Sequence, residues 1–570
     1  MPVKAQDESG FTMIMTVIGI SLVALLATVA VTAVNGSAQV TGRDIARKQA
    51  YEAALAGINE YAYHLHANSG YWAECTNAVP KTEASALNQE GSTANRRPVP
   101  GETGATYALE LLPATGHSSC DPTNIETATA SMLEALEPMK GTFRVRATGF
   151  SGTSQVSVTG TFKPASFLDY VYFTQLETSD PVTYGYEELV KAAGRQCIKT
   201  IHEGRYEAAL TNASGSYLNA KGEVLTNKNG EYVNSKNERG SLQYCDTISF
   251  VGGDNIKGPM HTNDAFVICE SPTLGRTASD PIEVSAPEPG WYSTRQISTS
   301  GSNCTGHNTN FKGTFRVNSP VLIPPETNSE LETIAEPTFR FSGEIKICLE
   351  GAKLTVGSGK SCTGSVLYSG AFPANGVIYD SSQSCSGAYT PFAVNYESTG
   401  VGTCGNVNVE GKYAKPLTIA AANDVLIMNN IEKSSEEGML GLIANNFIRI
   451  YHPVKITKTT KTVNGVSVTE ESCTSSSENL SGSVKNLRIE AALLAIKHSF
   501  IVDNYNCGPQ LEKLNVKGAI AQKFRGAVGT TGSTGYLKNY EYDERLKTTE
   551  PPSFIEPIKS DWVIGRETTE

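Results

Sequence analysis

The longest apolar run in the chain, Phe11 to Val34, covers 24 residues without a charge. As a helix it would be about 36 Å long, enough for a hydrocarbon core of ~30 Å. A secretory signal peptide has a shorter apolar region and a basic start; here the leader "MPVKAQDESG" carries one Lys and two acids. A small-residue cut near "AVTAV" is the competing reading. After Asn35 the chain turns polar but keeps helical spacing. Tyr51, Leu55, Ile58, Ala62 and Leu65 recur at four, three, four and three, while Arg43, Asp44, Arg47, Lys48, Glu52 and Glu60 lie off that stripe. The pattern predicts one helix of roughly 55 residues, apolar all round in its first half and amphipathic in its second. Gly36 and Gly42 would loosen it between the halves.

Beyond residue 66 the periodicity changes to two. Residues 67–105 read as loop, and Thr106–Pro113 and Gly141–Pro164 as strands, the latter a hairpin about "GFSGTS". Between Gly215 and Glu238 "GSYLNAKGE" is echoed by "GEYVNSKNE", a hairpin elaboration that carries Tyr217 and Tyr232. From about residue 250 short β runs recur with Gly and Asn corners. "AANDVLI" and "IANNFIRI" align with an offset of 22, which makes Ala422 equivalent to Ala444. Spacing of this kind without intervening helices suggests stacked solenoid rungs, with a β-sandwich as the runner-up. Asn464-Gly465 reads as a tight turn between alternating strands of a projecting arm.

The expected fold class is therefore mainly β with one long N-terminal α-helix: a helix plus a small antiparallel sheet, followed by a large β-solenoid-like (right-handed β-helix) head. The segments are 1–10 (leader), 11–34 (transmembrane half of the helix), 35–66 (amphipathic half), 67–165 (small β domain), 166–250 (connector with the hairpin repeat), 251–540 (disulfide-stapled head) and 541–570 (Pro-rich strap).

A net charge of −11 over 570 residues and a pI near 5.4 argue against nucleic acid, which calls for a basic footprint. The 12 cysteines lack any Cys-x-x-Cys pair, so the zinc-ribbon and thioredoxin readings lose their signature. An even number in polar, Gly/Ser-rich surroundings fits disulfides in an oxidising compartment. Short loops close easily, so neighbour pairing is the simplest arrangement: Cys75–Cys120, Cys197–Cys245, Cys269–Cys304, Cys348–Cys362, Cys385–Cys404 and Cys473–Cys507. Free buried thiols are the alternative.

A short polar leader ending in Gly10, then Phe11, an apolar helix and an amphipathic extension resemble a type IV prepilin. The resemblance implies cleavage after Gly10 by a prepilin peptidase and methylation of Phe11. It also implies filament and membrane packing through Met15, Gly19, Ser21, Ala24 and Thr28, with Thr12 and Thr16 on the same run. Implied partners are the other pilins of a filament and an inner-membrane assembly platform. Most pilins have a glutamate as the fifth residue of the mature chain. Met15 stands there, so the chain is similar to minor, tip-located pilins rather than to a shaft subunit. The implied location is the cytoplasmic membrane, single-pass with the C-terminal bulk outside, and then the cell surface. Lys4 alone in front, with Arg43, Arg47 and Lys48 behind, serves the positive-inside rule weakly.

No His-Glu-x-x-His, Walker A, Gly-x-Ser-x-Gly or EF-hand pattern occurs. "HTND" sets His261 close to Asp264, and its plain reading is a polar turn in which Asn263 and Asp264 bond local backbone. Solenoid lyases keep acids clustered along a groove, whereas Asp254, Asp264, Asp380 and Asp424 are dispersed in sequence. The expectation is assembly rather than catalysis, with no metal, no cofactor and a surface or carbohydrate ligand for the head. The second reading is a membrane-anchored carbohydrate-active or carbohydrate-binding solenoid outside any filament.

Overall fold

The structure, a computed structural model, describes the chain from residue 9 to residue 569 apart from 68–69, 74, 76–86, 89, 103, 124–129, 135–140, 181–182, 184–247, 287, 289, 294–309, 386–388, 397–401, 464–465, 531, 548 and 558–561. It is mostly β with one long helix at its N-terminus. The chain divides into two compact units. Unit 1 comprises 1–164 with 562–570, and unit 2 comprises 165–561.

In unit 1, α1 runs unbroken over Ser9–Ala67. Its second half buries Ala50, Ala54, Ile58, Tyr61 and Leu65, spaced by fours and threes. The sheet beneath comprises β1 (Leu87–Asn88), β2 (Arg97–Pro98), β3 (Ala105–Leu112), β4 (Phe143–Ser151) and β5 (Ser154–Pro164), joined by a last strand, Trp562–Thr569. β3, β4, β5 and that last strand pair antiparallel in turn, whereas β1 runs parallel to β3. The β4–β5 hairpin is the one expected, turning between Ser151 and Ser154 with Gly152 at φ +56°.

The buried stripe of α1 is displaced from the expected one. Ile58 and Leu65 are at its centre, but Tyr51, Leu55 and Ala62 sit at its edge, only partly buried. The centre is held by small residues that let the helix backbone approach the sheet. A Cβ on Gly149 of β4 would stand 1.9 Å from the Ala50 carbonyl oxygen, and one on Gly57 would stand 2.7 Å from the Tyr107 ring. Behind them Phe143 and Phe162 stack at 5.0 Å, with the Tyr61 ring 5.4 Å from Phe162. Gly149→Ala is expected to push helix from sheet and lower stability by about 1–3 kcal/mol. A thermal melt that shifts by less than about 1 °C would contradict that contact.

Unit 2 is built from parallel columns. Ile378, Ile419, Leu442, Leu493, Ile520, Tyr172, Met260 and Ile282 lie opposite one another across successive parallel strands. A second column runs Ile347, Val409, Ile427, Ile450 and Val502. All of these residues are buried, and each contributes about 1.5–3 kcal/mol of burial. Polar corners stack too: Asn423 donates to Asn406 and Asn446 donates to Asn423, both at 2.6 Å. The offset between the aligned runs is 23 rather than 22, because Ala421 lies opposite Ala444 and Val425 opposite Ile448. A one-residue slip would turn each apolar side chain to the other face, so burial selects the register. Other steps are longer: Leu442 to Leu493 encloses the arm Thr457–Val463/Val466–Ser472, a hairpin in the expected antiparallel register about 464–465.

The spatial order departs from the sequence order at one place. Tyr172–Leu176 pairs with Lys513–Phe524 on one side and Met260–Thr262 on the other. The chain thus enters the stack in its middle, builds outward to Thr314–Arg316 at one end, and resumes at the other end with Arg340–Ser342. The crossing segment lies along the stack. Leu322 is bonded both ways to Asn263, at 3.0 and 2.6 Å, and Asn328 donates to the carbonyls of Ala421 and Ile443. A short helix, α2 (Glu330–Ile334), follows. Residues 541–570, read as one strap, divide: Pro551 and Phe554 lie against Gly441 in unit 2, while Trp562–Thr569 completes the sheet of unit 1. Unit 2 is therefore an insertion between two paired strands of unit 1.

Among the described residues four of the six neighbour disulfides are seen: Cys75–Cys120, Cys348–Cys362, Cys385–Cys404 and Cys473–Cys507. Cys269 is disulfide-bonded, while Cys197, Cys245 and Cys304 lie outside the described residues, as do the leader before Ser9, Tyr217 and Tyr232.

Candidate functional site

The apolar half of α1 presents its side chains outward where they are described. From Met15 to Leu26 the large apolar residues are 53–70% exposed. Met15, Thr16, Gly19, Ile20, Val23, Ala24 and Ala27 share one face, and a Cβ on Gly19 would meet nothing within 4 Å. The Ser21 and Thr28 hydroxyls donate to the carbonyls of Val17 and Ala24, one turn back on the same helix. Each hydroxyl proton is thereby satisfied within α1. Gly10 and Phe11 lie in the helix, which begins at Ser9. Among the described residues no helix is long and apolar enough to cross a membrane; of the run Phe11–Val34, side chains are described only from Met15 to Thr28.

Two clusters of buried charge mark unit 2. The first joins the segment that enters the stack to the one that returns to it. Arg525 donates to Glu177 at 2.7 Å with both side chains fully buried. Lys538 donates to Asp254 at 2.7 Å, and His498 lies 2.8 Å from Asp180. Thr174 and Tyr172 donate to the same Glu177 carboxylate, and the Arg525 guanidinium lies 3.6 Å over the Phe250 ring. All three acids come from the entering segment and all three bases from the returning one. Burial pushes the Glu177 carboxyl up, opposed by Arg525, and burial pushes the Lys538 amine down, opposed by Asp254.

The second cluster holds a loop. Arg449 donates to both oxygens of Asp503, at 3.1 and 2.7 Å, and to Asp424 at 3.2 Å. The hydroxyls of Tyr389 and Tyr396 donate one to each oxygen of Asp503, and Arg449 lies 4.1 Å over the Tyr389 ring. Asn504 bonds the backbone of Pro391 and Val394. Each Asp503 oxygen thus meets one guanidinium and one phenol, and the loop that Cys385–Cys404 closes is fastened over the strands Ile448–Ile450 and Phe500–Val502. Burial drives the Tyr389 and Tyr396 hydroxyls well above their ordinary pKa, which keeps them protonated donors.

The "HTND" stretch is the polar turn expected only in part: His261 and Thr262 end the strand Met260–Thr262, and Asn263 and Asp264 form the bend after it. Asp264 accepts from the backbone of Ala265 and of Glu177, and Asn263 bonds the distant Leu322 backbone instead of local backbone. His261 is buried between Asn263 at 3.1 Å and Glu283 at 3.4 Å. Burial raises the Glu283 carboxyl, but His261 and Tyr170 outweigh it and hold the group below its ordinary value. Among the described residues no group of three or more His, Cys, Asp or Glu is placed to hold a metal ion. A shallow polar groove elsewhere is lined by Glu410, Lys412, Asn429, Asn430 and Glu432.

The acids that looked dispersed in sequence are brought to different ends. Asp254 and Asp424 join the two charge clusters, and Asp264 caps backbone. Asp380 is fully buried with both carboxylate oxygens unbonded. The partners Arg525, Lys538, Arg449 and Asp503 were missed in the sequence reading. Arg525 and Glu177 are 348 positions apart, and no local pattern marks such a pair.

No family model matches this chain, and no curated protein matches it. Among solved structures, a crystal structure of the competence-associated pilin ComZ from Thermus thermophilus aligns over 92% of this chain and 97% of that one, at 12% identity and a TM-score of 0.27. At that level two chains need not share a fold.

Proposed function

We propose that this chain is a large minor pilin-like subunit of a type IV pilus or related filament. In this reading it is processed at Gly10–Phe11, held in the cytoplasmic membrane by Phe11–Val34, and carries a head outside for tip capping, assembly priming or adhesion. The observation that carries the reading is α1: one unbroken helix whose second half is buried on an antiparallel sheet while Met15–Thr28 stays apolar and exposed. A soluble domain that ended its business at the sheet would not leave such a face in water. The disulfides support an oxidising side for both units. The parallel columns of unit 2 favour a β-solenoid over an antiparallel sandwich, in the right-handed sense that parallel crossovers take. Its role is binding and assembly, not catalysis.

The second reading is the anchored carbohydrate-binding or carbohydrate-active solenoid. The observation in its favour is the cluster of Asp424, Arg449 and Asp503 in or at the ends of neighbouring strands; their mutual saturation, with two tyrosines bonded to Asp503, supports a structural lock instead. Intact and N-terminal mass spectrometry of the protein from its native membrane tests both. A chain that begins at methylated Phe11, and gains twelve protons on reduction, supports the filament subunit with six disulfides. A start at Met1 favours the plain anchor, and a start beyond Val34 ends the filament reading.

A further inference from the structure

Of the three acid–base pairs where the entering and returning segments of unit 2 meet, one differs in its chemistry. Guanidinium and imidazole form no stable amide with a carboxyl group, so Arg525–Glu177 and His498–Asp180 remain as they are. Lys538 is a primary amine, and a primary amine can condense with the carboxyl it touches. The ladder sets the two side by side. Asn539 lies opposite Asn255 in parallel strands, which puts Lys538 beside Asp254. Their side chains are 10% and 1% exposed, and 284 positions of chain separate them.

The carboxyl is gripped at both oxygens. The backbone N–H of Lys538 donates to Asp254 Oδ1 at 3.2 Å. Lys538 Nζ donates to Oδ2 at 2.7 Å, and the Val251 N–H donates to the same oxygen at 3.0 Å. Oδ2 is one bond from Cγ, so the amine nitrogen stands near the attack distance of about 3–3.5 Å from that carbon. The surroundings also favour a neutral, nucleophilic amine. Burial pushes the Lys538 amine down, opposed by Asp254 and aided by Arg525. The Arg525 guanidinium and the Lys538 amine lie over one Phe250 ring, at 3.6 and 6.0 Å. Arg525 Nε and Nη2 are buried and bonded to nothing among the described residues, so Glu177 takes up only part of that cation's donor capacity.

We infer that Lys538 and Asp254 condense into an amide bond, a covalent clasp between the entering and returning segments of unit 2. The step balances within the pair. The ammonium gives a proton to Oδ2, and the lone pair so freed adds to Cγ. Charge then gathers on Oδ1, where the Lys538 backbone N–H receives it. The nitrogen gives a second proton to Oδ2, the Cγ–Oδ2 bond breaks, and one water leaves. No further reactant is consumed. Two buried charges become one neutral amide, which removes the cost of keeping both ions out of water. The bond closes a long loop and so restricts the unfolded chain. The inference rests on unit 2 alone and is independent of the filament reading.

The test is peptide mapping by mass spectrometry of the full-length chain, purified in detergent micelles, then reduced, alkylated and digested with trypsin. The peptide that holds Asp254 and the one that holds Lys538 should emerge as a single branched species, lighter than their sum by one water and uncut after Lys538. Lys538→Arg keeps the cation but cannot condense, so it should give two linear peptides, as should Asp254→Ala. The inference is overturned if wild-type protein, with its native disulfides formed by mass, gives only linear peptides cut after Lys538. It is overturned equally if the branched species persists in Lys538→Arg.

Discussion

Arg525→Met is expected to destabilise unit 2 by about 3–5 kcal/mol, because it strands the Glu177 carboxylate in the interior without its counter-charge. Both side chains of the pair are fully buried and in direct contact at 2.7 Å, so water cannot replace the lost partner. Glu177→Gln should cost less, since its single amide oxygen can still accept from Arg525 while its amide nitrogen donates to the Thr174 and Tyr172 hydroxyls. The double variant should recover part of the Arg525→Met loss, as removal of both charges leaves neither partner of this pair as an unpaired buried ion. The effect belongs to one place in the fold. Tyr172–Leu176 sits between two strands far apart in sequence, Met260–Thr262 and Lys513–Phe524, and its contacts with both keep the column continuous. Urea unfolding with hydrogen exchange on the amides of Tyr172–Leu176 and Lys513–Phe524 checks the prediction. A loss below about 1 kcal/mol, or additive single losses in the double variant, would show that the pair does not hold the junction.

The second large effect is a gain. Asp380 lies in a column between Phe341 and Ala421, fully buried, with no bond to either carboxylate oxygen. Burial alone pushes its carboxyl up to about 9. The sign follows from linkage: the unfolded chain releases this proton near pH 3.8, while the folded protein keeps it to about pH 9. Whatever stability this group allows is fully present below pH 3.8 and is lost progressively as pH rises to about 9. At pH 7 the loss is on the order of 4 kcal/mol. Asp380→Asn is therefore expected to raise stability at pH 7–8 and to flatten the fall of stability between pH 5 and 8. Denaturant midpoints at pH 5, 6, 7 and 8 for both proteins settle the matter. Parallel curves would mean that Asp380 finds a partner or water in solution.

Local chemistry in this chain announced itself early. The helix was legible because a charge-free run followed by a three-four stripe has no good alternative conformation. The "GFSGTS" hairpin and the arm about 464–465 were legible because turn residues sit between alternating segments. The four described disulfides join neighbours in sequence, where loop closure costs least. The stripe of α1 was misjudged by about one position for an equally physical reason. Large apolar residues draw the eye, yet Ala50, Ala54 and Gly149 determine where helix and sheet touch, since only small residues allow backbones that close.

What the sequence by itself determined is thus the set of elements and their buried faces: a long helix apolar at one end, period-two strands, and cysteines paired along the chain. What only the tertiary structure decided is the order in which those strands stack and which charges meet inside. The backbone bonds of one parallel strand are much like those of another, so local patterns do not say that Tyr172–Leu176 belongs beside Lys513–Phe524. The choice rests on packing and on ion pairs such as Glu177–Arg525, whose members are brought together only when the whole chain has closed.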